Sequence, residues 1–378
     1  MENLKICLIS DTIYDVNGVS RFIQDYAKEA KRFDKEFYVI GSTKKNHYEE
    51  IDNIINLKPA FTMKMPFYKS LDLVFPSFFK IYKKIKQINP NLIHISTPGT
   101  VGLCALISAK FLKIPVVGIY HTDFPSYLYK NTKSKFVKAG TILFLKLFYK
   151  SYKAIFLRSQ EYSSIVQEQL KFKEEDLYLV KPGININSFD KSFKDEKIWE
   201  KYGVDNNKFK VLYVGRLSVE KNVDKLISFW KEFAFEDCEL ILVGDLEFEL
   251  EKESLKNIKI VGRKQKEELS ILYASSDCFI FPSTTDTLGQ VVMEALSSGL
   301  PVIVTNKGGP KTFVEDSFAD IIDINQKAEV KNAIIKLKEN KNLHKIKGEN
   351  AYNFMRDKSI SYSFLHFWED NKLILSKY

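Results

Sequence analysis

The chain has 378 residues, 45% of them hydrophobic, and a formal net charge of +9. It is too long for one ordinary core and too apolar for disorder, so two α/β-sized domains are expected. Met1 leads straight into a strand-like stretch and no uncharged apolar run is long enough to span a membrane; with four scattered cysteines (Cys7, Cys104, Cys238, Cys278) in apolar stretches, the expectation is a cytoplasmic chain with reduced core thiols.

In chain order, strand patterns fall at 4–10, 36–41, 92–95, 115–120, 153–157 and 177–180. Helical periodicity fills 18–32, 77–88, 100–112, 134–150 and 160–170 between them. Alternation of this kind predicts a parallel sheet covered on both faces. The polar stretch Asn185 to Lys197 reads as a linker, after which the alternation restarts. Strands are predicted near 210–214, 239–243, 258–261, 277–281 and 301–304, with helices near 222–234, 265–274, 289–298 and 326–340. The tail from about 342 reads as helix to the end, and its Trp368, Leu373 and Ile374 need a surface to pack on. The expected domains are 1–181 and 182–358, both doubly wound, with the helix 359–378 returning to the first. Such sheets bind ligands outside their strand C-termini, here in a cleft.

Three segments carry chemistry. Phe281 to Ala295 is a buried strand, a loop of small polar residues (Ser283, Thr284, Thr285, Asp286, Thr287) and a helix starting near Leu288 or Gly289. Helix N-termini offer unpaired N–H groups and a positive dipole end. Asp286 and Glu294 suit sugar hydroxyls, which want acceptors. The plainer reading makes Asp286 a helix cap and Glu294 part of a solvated face. Upstream, the strand Val211–Val214 runs into Gly215, then Arg216 and Lys221 before a helix. An Arg fork and a Lys point charge are what a diphosphate leaving group needs, although either alone is more often an ordinary loop cation. Gly308-Gly309-Pro310 is a turn leading toward a further helix, and weak by itself.

Together these pieces resemble the C-terminal half of family-4 retaining glycosyltransferases of the GT-B superfamily, in particular GDP-mannose-dependent α-mannosyltransferases. The match runs through Gly215-Arg216-Leu217-Ser218-Val219-Glu220-Lys221-Asn222, the acid pair Asp286 and Glu294 with seven residues between, Ser298-Gly299-Leu300-Pro301-Val302, and Gly308-Gly309-Pro310. Asp286 stands where the commonest form has Glu. The resemblance implies a GT-B fold, two Rossmann-like domains facing a cleft, and retaining transfer of a hexose. Arg216 and Lys221 would stabilise the leaving diphosphate together with the Gly18 loop. Asp286 would hold the transferred sugar, and Glu294 the ribose. Thr287, Leu288 and Gly289 would line the donor site, and Arg263, after Gly262, would lie near the base. His121, in Tyr120-His121-Thr122-Asp123-Phe124-Pro125, would be the active-site histidine that orients the sugar. His94, Thr97 and Asp123 would lie on the acceptor side, with His94 equally readable as a satisfied core histidine. The plain reading of Gly18 is a strand–helix turn that needs glycine.

No cofactor is expected. No Asp-x-Asp motif lies in the site segments and two cations already serve the diphosphate, so metal independence is expected. The donor leans to GDP-mannose, with a UDP-hexose next, and the acceptor is a saccharide or a lipid-linked one. A UDP-hexose enzyme acting on a diacylglycerol-type lipid is the alternative. A sugar-nucleotide epimerase or a binding-only homologue is the alternative of another class. Two lysine-rich, aromatic-rich clusters, 63–88 and 133–153, lie in the first half. They fit peripheral attachment to an anionic membrane on its inner face, or helices packed on the sheet with a solvated lysine face. They lack any nucleic-acid recognition module, so nucleic acid is not an expected partner.

Overall fold

A computed structural model describes residues 4–15, 17–45, 51–64, 72–250 and 255–377. The chain divides into two compact units, Met1–Pro182 with Ile360–Tyr378, and Gly183–Ser359.

The first unit runs β1 (Lys5–Ser10), α1 (Gly18–Arg32), β2 (Glu36–Gly41), β3 (Ile54–Asn56), β4 (Phe61–Lys64), β5 (Asp72–Phe75), α2 (Phe78–Ile88), β6 (Leu92–Ile95), α3 (Thr100–Leu112), β7 (Val116–Tyr120), α4 (Phe124–Thr132), α5 (Lys135–Tyr149), β8 (Ile155–Leu157), α6 (Tyr162–Leu170) and β9 (Leu177–Leu179). Seven strands form one parallel sheet in the order β3-β2-β1-β6-β7-β8-β9. β6, β7 and β8 are buried along their whole length, which a parallel sheet covered on both faces demands of its strands. α1 turns Phe22, Ile23, Tyr26, Ala27 and Ala30 inward at helical spacing. Its Asn17 cap accepts from the Ser20 N–H at 2.8 Å, and Lys31 and Arg32 occupy its negative C-terminal end. The hairpin β4–β5 stands apart from the sheet and was not expected from the sequence.

The second unit runs α7 (Ile198–Tyr202), β10 (Phe209–Val214), α8 (Val223–Phe233), β11 (Cys238–Val243), β12 (Ile258–Ile260), α9 (Lys266–Ser275), β13 (Cys278–Phe281), α10 (Gln290–Ser297), β14 (Val302–Thr305), β15 (Ala319–Ile322), α11 (Lys327–Glu339) and α12 (Lys341–Met355). Its parallel sheet has the order β12-β11-β10-β13-β14-β15. In both sheets the chain builds outward on one side and then crosses over to the other, at β1/β6 and at β10/β13. These are topological switch points, where the loops leaving neighbouring strands diverge and open a crevice. The expected GT-B-type class, two Rossmann-like units with a helical tail, is what the structure has.

Two readings need correction. The stretch 185–197 is no free linker: it makes short turns at Ile186–Ser188 and Lys191–Phe193, and Phe189 is buried in the second unit's core. The Ser297 hydroxyl donates to the Phe189 carbonyl at 2.6 Å. One apolar anchor therefore outweighs a polar composition. The tail is two helices, with a break between α12 and α13 (Ile360–Leu375). α13 belongs to the first unit, where Phe364, Phe367 and Trp368 join the core and the rings of Phe364 and Phe367 meet Tyr26 edge-on at 5.4 and 5.1 Å.

Candidate functional site

In the second unit, β10 and β13 are neighbours and each ends in a loop that carries expected site residues. β10 delivers Gly215–Asn222. The Asn222 amide donates to the Pro282 carbonyl at 2.8 Å, tying this loop to the end of β13. The loop after β13 carries Asp286. Lys221 Nζ meets Asp286 Oδ2 at 2.7 Å and Glu220 Oε1 at 3.4 Å. Arg216 donates to Glu220 Oε2 at 2.9 Å and to Glu247 Oε2 at 3.1 Å. The Thr285 hydroxyl donates to Glu220. Arg216, Lys221 and Asp286, 70 residues apart at the extremes in sequence, thus form one ionic cage.

The electrostatics follow from that cage. Burial alone would raise the Asp286 carboxyl, but Lys221 outweighs it and holds its pKa below the ordinary carboxylate value. Burial would likewise lower Lys221, yet Asp286 and Glu220 together raise it. Asp286 and Lys221 therefore both stay charged at neutral pH. A dianionic ligand placed there replaces carboxylates around cations that are already desolvated and aimed.

Asp286 does not cap α10: that helix begins at Gln290, and its cap position is Gly289, with no side-chain cap. Glu294 is not on a solvated face either. It is 1% exposed and accepts from the Tyr273 hydroxyl at 3.0 Å. Thr287 and Leu288 are also buried. The Gly308-Gly309-Pro310 turn braces the acidic loop, for the Gly309 N–H donates to the Asp286 carbonyl at 2.7 Å. A Cβ on Gly309 would lie 1.9 Å from the Thr287 carbonyl oxygen, so only glycine permits the approach. Arg263 lies outside the cage, in a half-exposed pair with Asp245 at 3.4 Å.

In the first unit, the loops after β1, β6, β7 and β8 meet around that sheet's switch point. Gly18 is the exposed first residue of α1. Asp11, unremarked in the sequence reading, accepts from the Val101 N–H at 2.7 Å, the Gly99 N–H at 3.1 Å and the Thr97 hydroxyl at 2.8 Å. It fills the N-terminus of α3, and Thr97 serves that arrangement. A Cβ on Gly99 would lie 2.4 Å from the Asp11 carboxyl carbon. His121 follows β7 and its Nε2 lies 2.7 Å from the Ser96 hydroxyl. Burial, and then the charge of Arg158, hold His121 well below its usual pKa, so it is neutral. Asp123 caps α4, accepting from the Ser126 N–H at 3.2 Å. His94 is fully buried in the core, not at the loop ends. Its Nε2 donates to Asn371 Oδ1 of α13 at 2.5 Å, since the Asn371 amide is committed to the Phe367 carbonyl.

Sequence reasoning passed over Glu220, Glu247 and Arg158. Glu220 is four residues from Arg216 and inside the quoted motif, so pairing could have been read from spacing. Glu247 required knowing that β10 and β11 are neighbours, which brings Leu217 and Leu246 into a parallel bridge. Among the described residues, no three His, Cys, Asp or Glu side chains gather as a metal site would need, and no helix is long and apolar enough to cross a membrane.

Two family models match adjoining parts of the chain: "Glycosyltransferase Family 4" over residues 16–188 and "Glycosyl transferases group 1" over 194–354. The chain is 29% identical to the sulfoquinovosyl transferase SQD2 of Arabidopsis thaliana, over 72% of this chain but only 54% of that protein, so it spans about half of that relative's length. It is 24% identical to a GDP-mannose-dependent alpha-mannosyltransferase of Mycobacterium tuberculosis (83% and 82% covered) and 27% identical to an alpha-monoglucosyldiacylglycerol synthase of Streptococcus pneumoniae (79% and 70% covered). Among solved structures, Anabaena HepE in complex with UDP-glucose superposes with a TM-score of 0.74 at 18% identity, over 97% and 99% of the two chains. With matching models over both units and the ionic cage at the β10/β13 switch point, the chain belongs to the family-4 glycosyltransferases of GT-B fold.

Proposed function

We propose that the protein transfers a hexose, with retention, from a nucleotide diphosphate sugar to a lipid-linked or saccharide acceptor in the synthesis of surface glycoconjugates. The observation that carries this reading is the cage of Arg216, Lys221, Glu220 and Asp286. A diphosphate entering it takes over Arg216 and Lys221, whose positive charge then meets the negative charge that develops as the glycosidic bond breaks. Release of Lys221 frees Asp286 to accept hydroxyls of the sugar. Glu294, behind the first turns of α10, accepts ribose hydroxyls. His121, neutral and fixed by Ser96, orients the sugar instead of relaying protons, and a phosphate oxygen of the leaving group takes the acceptor proton. Side-chain cations do this work without a metal.

GDP-mannose is the preferred donor, in line with the α-mannosyltransferase relative. A UDP-hexose donor with a diacylglycerol-type acceptor is the second reading, favoured by the glucosyldiacylglycerol synthase relative. Membrane contact is supported by α5. Phe136, Leu143, Phe144 and Leu147 form a stripe at helical spacing on its outer side, Phe136 being 92% exposed, with Lys135, Lys146 and Lys150 beside it. Only Leu145, Phe148 and Tyr149 of this helix are buried, so it both packs on the sheet and keeps an unused apolar face. Phe111 of α3 is also exposed. In the companion cluster, Phe67, Lys69 and Leu71 lie outside the described residues. A panel of GDP- and UDP-sugars, with and without acceptors and with a chelator, followed by product mass and anomeric configuration, tests the reaction. Nucleotide release that never yields a glycosylated acceptor contradicts it. Co-sedimentation with anionic and neutral vesicles at two salt concentrations tests the location: binding that ignores lipid charge and salt, or none, removes the membrane.

A further inference from the structure

β8 ends at Leu157, and the next residue, Arg158, is only 8% exposed. Its guanidinium lies over the Phe22 ring of α1, 4.3 Å from the centroid. Two other cations are buried to this degree among the described residues, and both are satisfied. Lys347 meets Asp320 at 2.9 Å and the Ala319 carbonyl at 2.6 Å, and Lys210 donates to the Asn206 carbonyl at 2.6 Å. Among the described residues, Arg158 has neither a carboxylate within ion-pair distance nor a hydrogen bond; Asp25 and Tyr26 act on it only through space. None of its nitrogens is among the fully sealed unpaired polar atoms of the fold, so the tip keeps a path to solvent. Burial brings its pKa down to about 10, which leaves it charged at neutral pH.

Holding a guanidinium out of water without a counter-ion is unfavourable, and five N–H donors in a rigid fork are made for an oxyanion. His121 stands on the adjacent strand end and packs on the same Phe22 ring, 5.4 Å between centroids. We propose that Arg158, with His121 beside it, forms an oxyanion site in the first unit that takes a phosphate, sulfonate or carboxylate group of a substrate. The inference rests on the glycosyl-transfer reading only in assigning that group to a substrate: a phosphate on the acceptor, or the acid of an acidic transferred sugar.

The test follows the His121 imidazole by NMR, assigned through its loss in His121→Gln, while inorganic phosphate is added. Glycerol phosphate and glucuronic acid follow as the acceptor-like and sugar-like probes, and whichever binds more tightly names the source. The expected result is a saturable shift whose midpoint moves at least about tenfold, or 1.4 kcal/mol, in Arg158→Leu and less in Arg158→Lys. Identical phosphate curves in the wild type and in these variants overturn the site. If Arg158→Leu does not fold, Arg158→Lys and Arg158→Gln carry the comparison. GDP and UDP are titrated into the same samples. Intact nucleotide binding with a flat phosphate response sinks this site alone, whereas absent nucleotide binding sinks the transfer reading.

Discussion

The two sheets share a topology and differ in how the loops at their strand ends hold charge. At β10/β13 each cation already has carboxylate partners: Lys221 has Asp286 and Glu220, and Arg216 has Glu220 and Glu247. At the end of β8, Arg158 is desolvated with no such partner among the described residues, and His121 at the neighbouring end of β7 is neutral. The first arrangement is stable when empty, and a ligand must exchange partners there. The second is costly when empty and gains directly from a ligand. Ligand binding in the second unit should therefore be sensitive to its acids, whereas in the first it should depend on the one cation.

The largest effect expected from this contrast follows loss of Lys221. Lys221→Ala removes a donor from the developing diphosphate and leaves Asp286 and Glu220 without their shared cation. Turnover should fall by about 10²–10³, roughly 2.7–4 kcal/mol. The melting temperature should fall as well, because the two carboxylates then face each other, and Lys221→Ala/Asp286→Asn should recover part of that stability but not the turnover. Near-normal turnover in Lys221→Ala would remove the diphosphate from the cage. His121→Ala comes next, with a loss of about 10²-fold in kcat from lost positioning and little change in GDP or UDP affinity by calorimetry. Equal losses in both would move His121 onto the nucleotide.

His94 sharpens the comparison from the stability side. Burial pushes its pKa down to about 3, and its Nδ1 has no acceptor for a second proton. The unfolded chain, with a pKa near 6.5, binds that proton more readily. The stabilising contribution is thus complete above about pH 6.5 and is lost as pH falls toward 3. From this group alone, stability should drop by about 2 kcal/mol between pH 6.5 and 5. Denaturant titrations at the two values should show that slope, and His94→Gln should flatten it. An unchanged slope would place the burden on another group.

Glu247 carries the smallest effect. It competes with any diphosphate for Arg216, so Glu247→Gln should tighten GDP or UDP binding by a few-fold, about 1 kcal/mol, as expected for a partly exposed ion pair. Weaker binding would instead make Glu247 a support that holds Arg216 in its working position.

Fully buried strands were plain in the sequence because parallel strands under two helical layers are continuous apolar runs. β15 was missed because only Ala319 and Ile322 of its four residues are buried, and the β4–β5 hairpin because Phe61 and Met63 face outward. The contacts of Arg216, Lys221 and Asp286 were legible only through motif order, since spacing alone left each of them an ordinary loop residue. Glu247 and Arg158 were not legible. Their roles depend on which strand lies beside which, and on a neighbour that is absent, and neither leaves a pattern along the chain.

Calorimetric titration of GDP and UDP into the wild type and into Arg216→Ala and Arg158→Leu tests the central claim, that the β10/β13 cage is the diphosphate site. One of the two nucleotides should bind the wild type with an affinity that weakens as salt rises, lose at least about tenfold in Arg216→Ala, about 1.4 kcal/mol, and bind Arg158→Leu as it binds the wild type. Equal affinity for the wild type and Arg216→Ala would contradict the account.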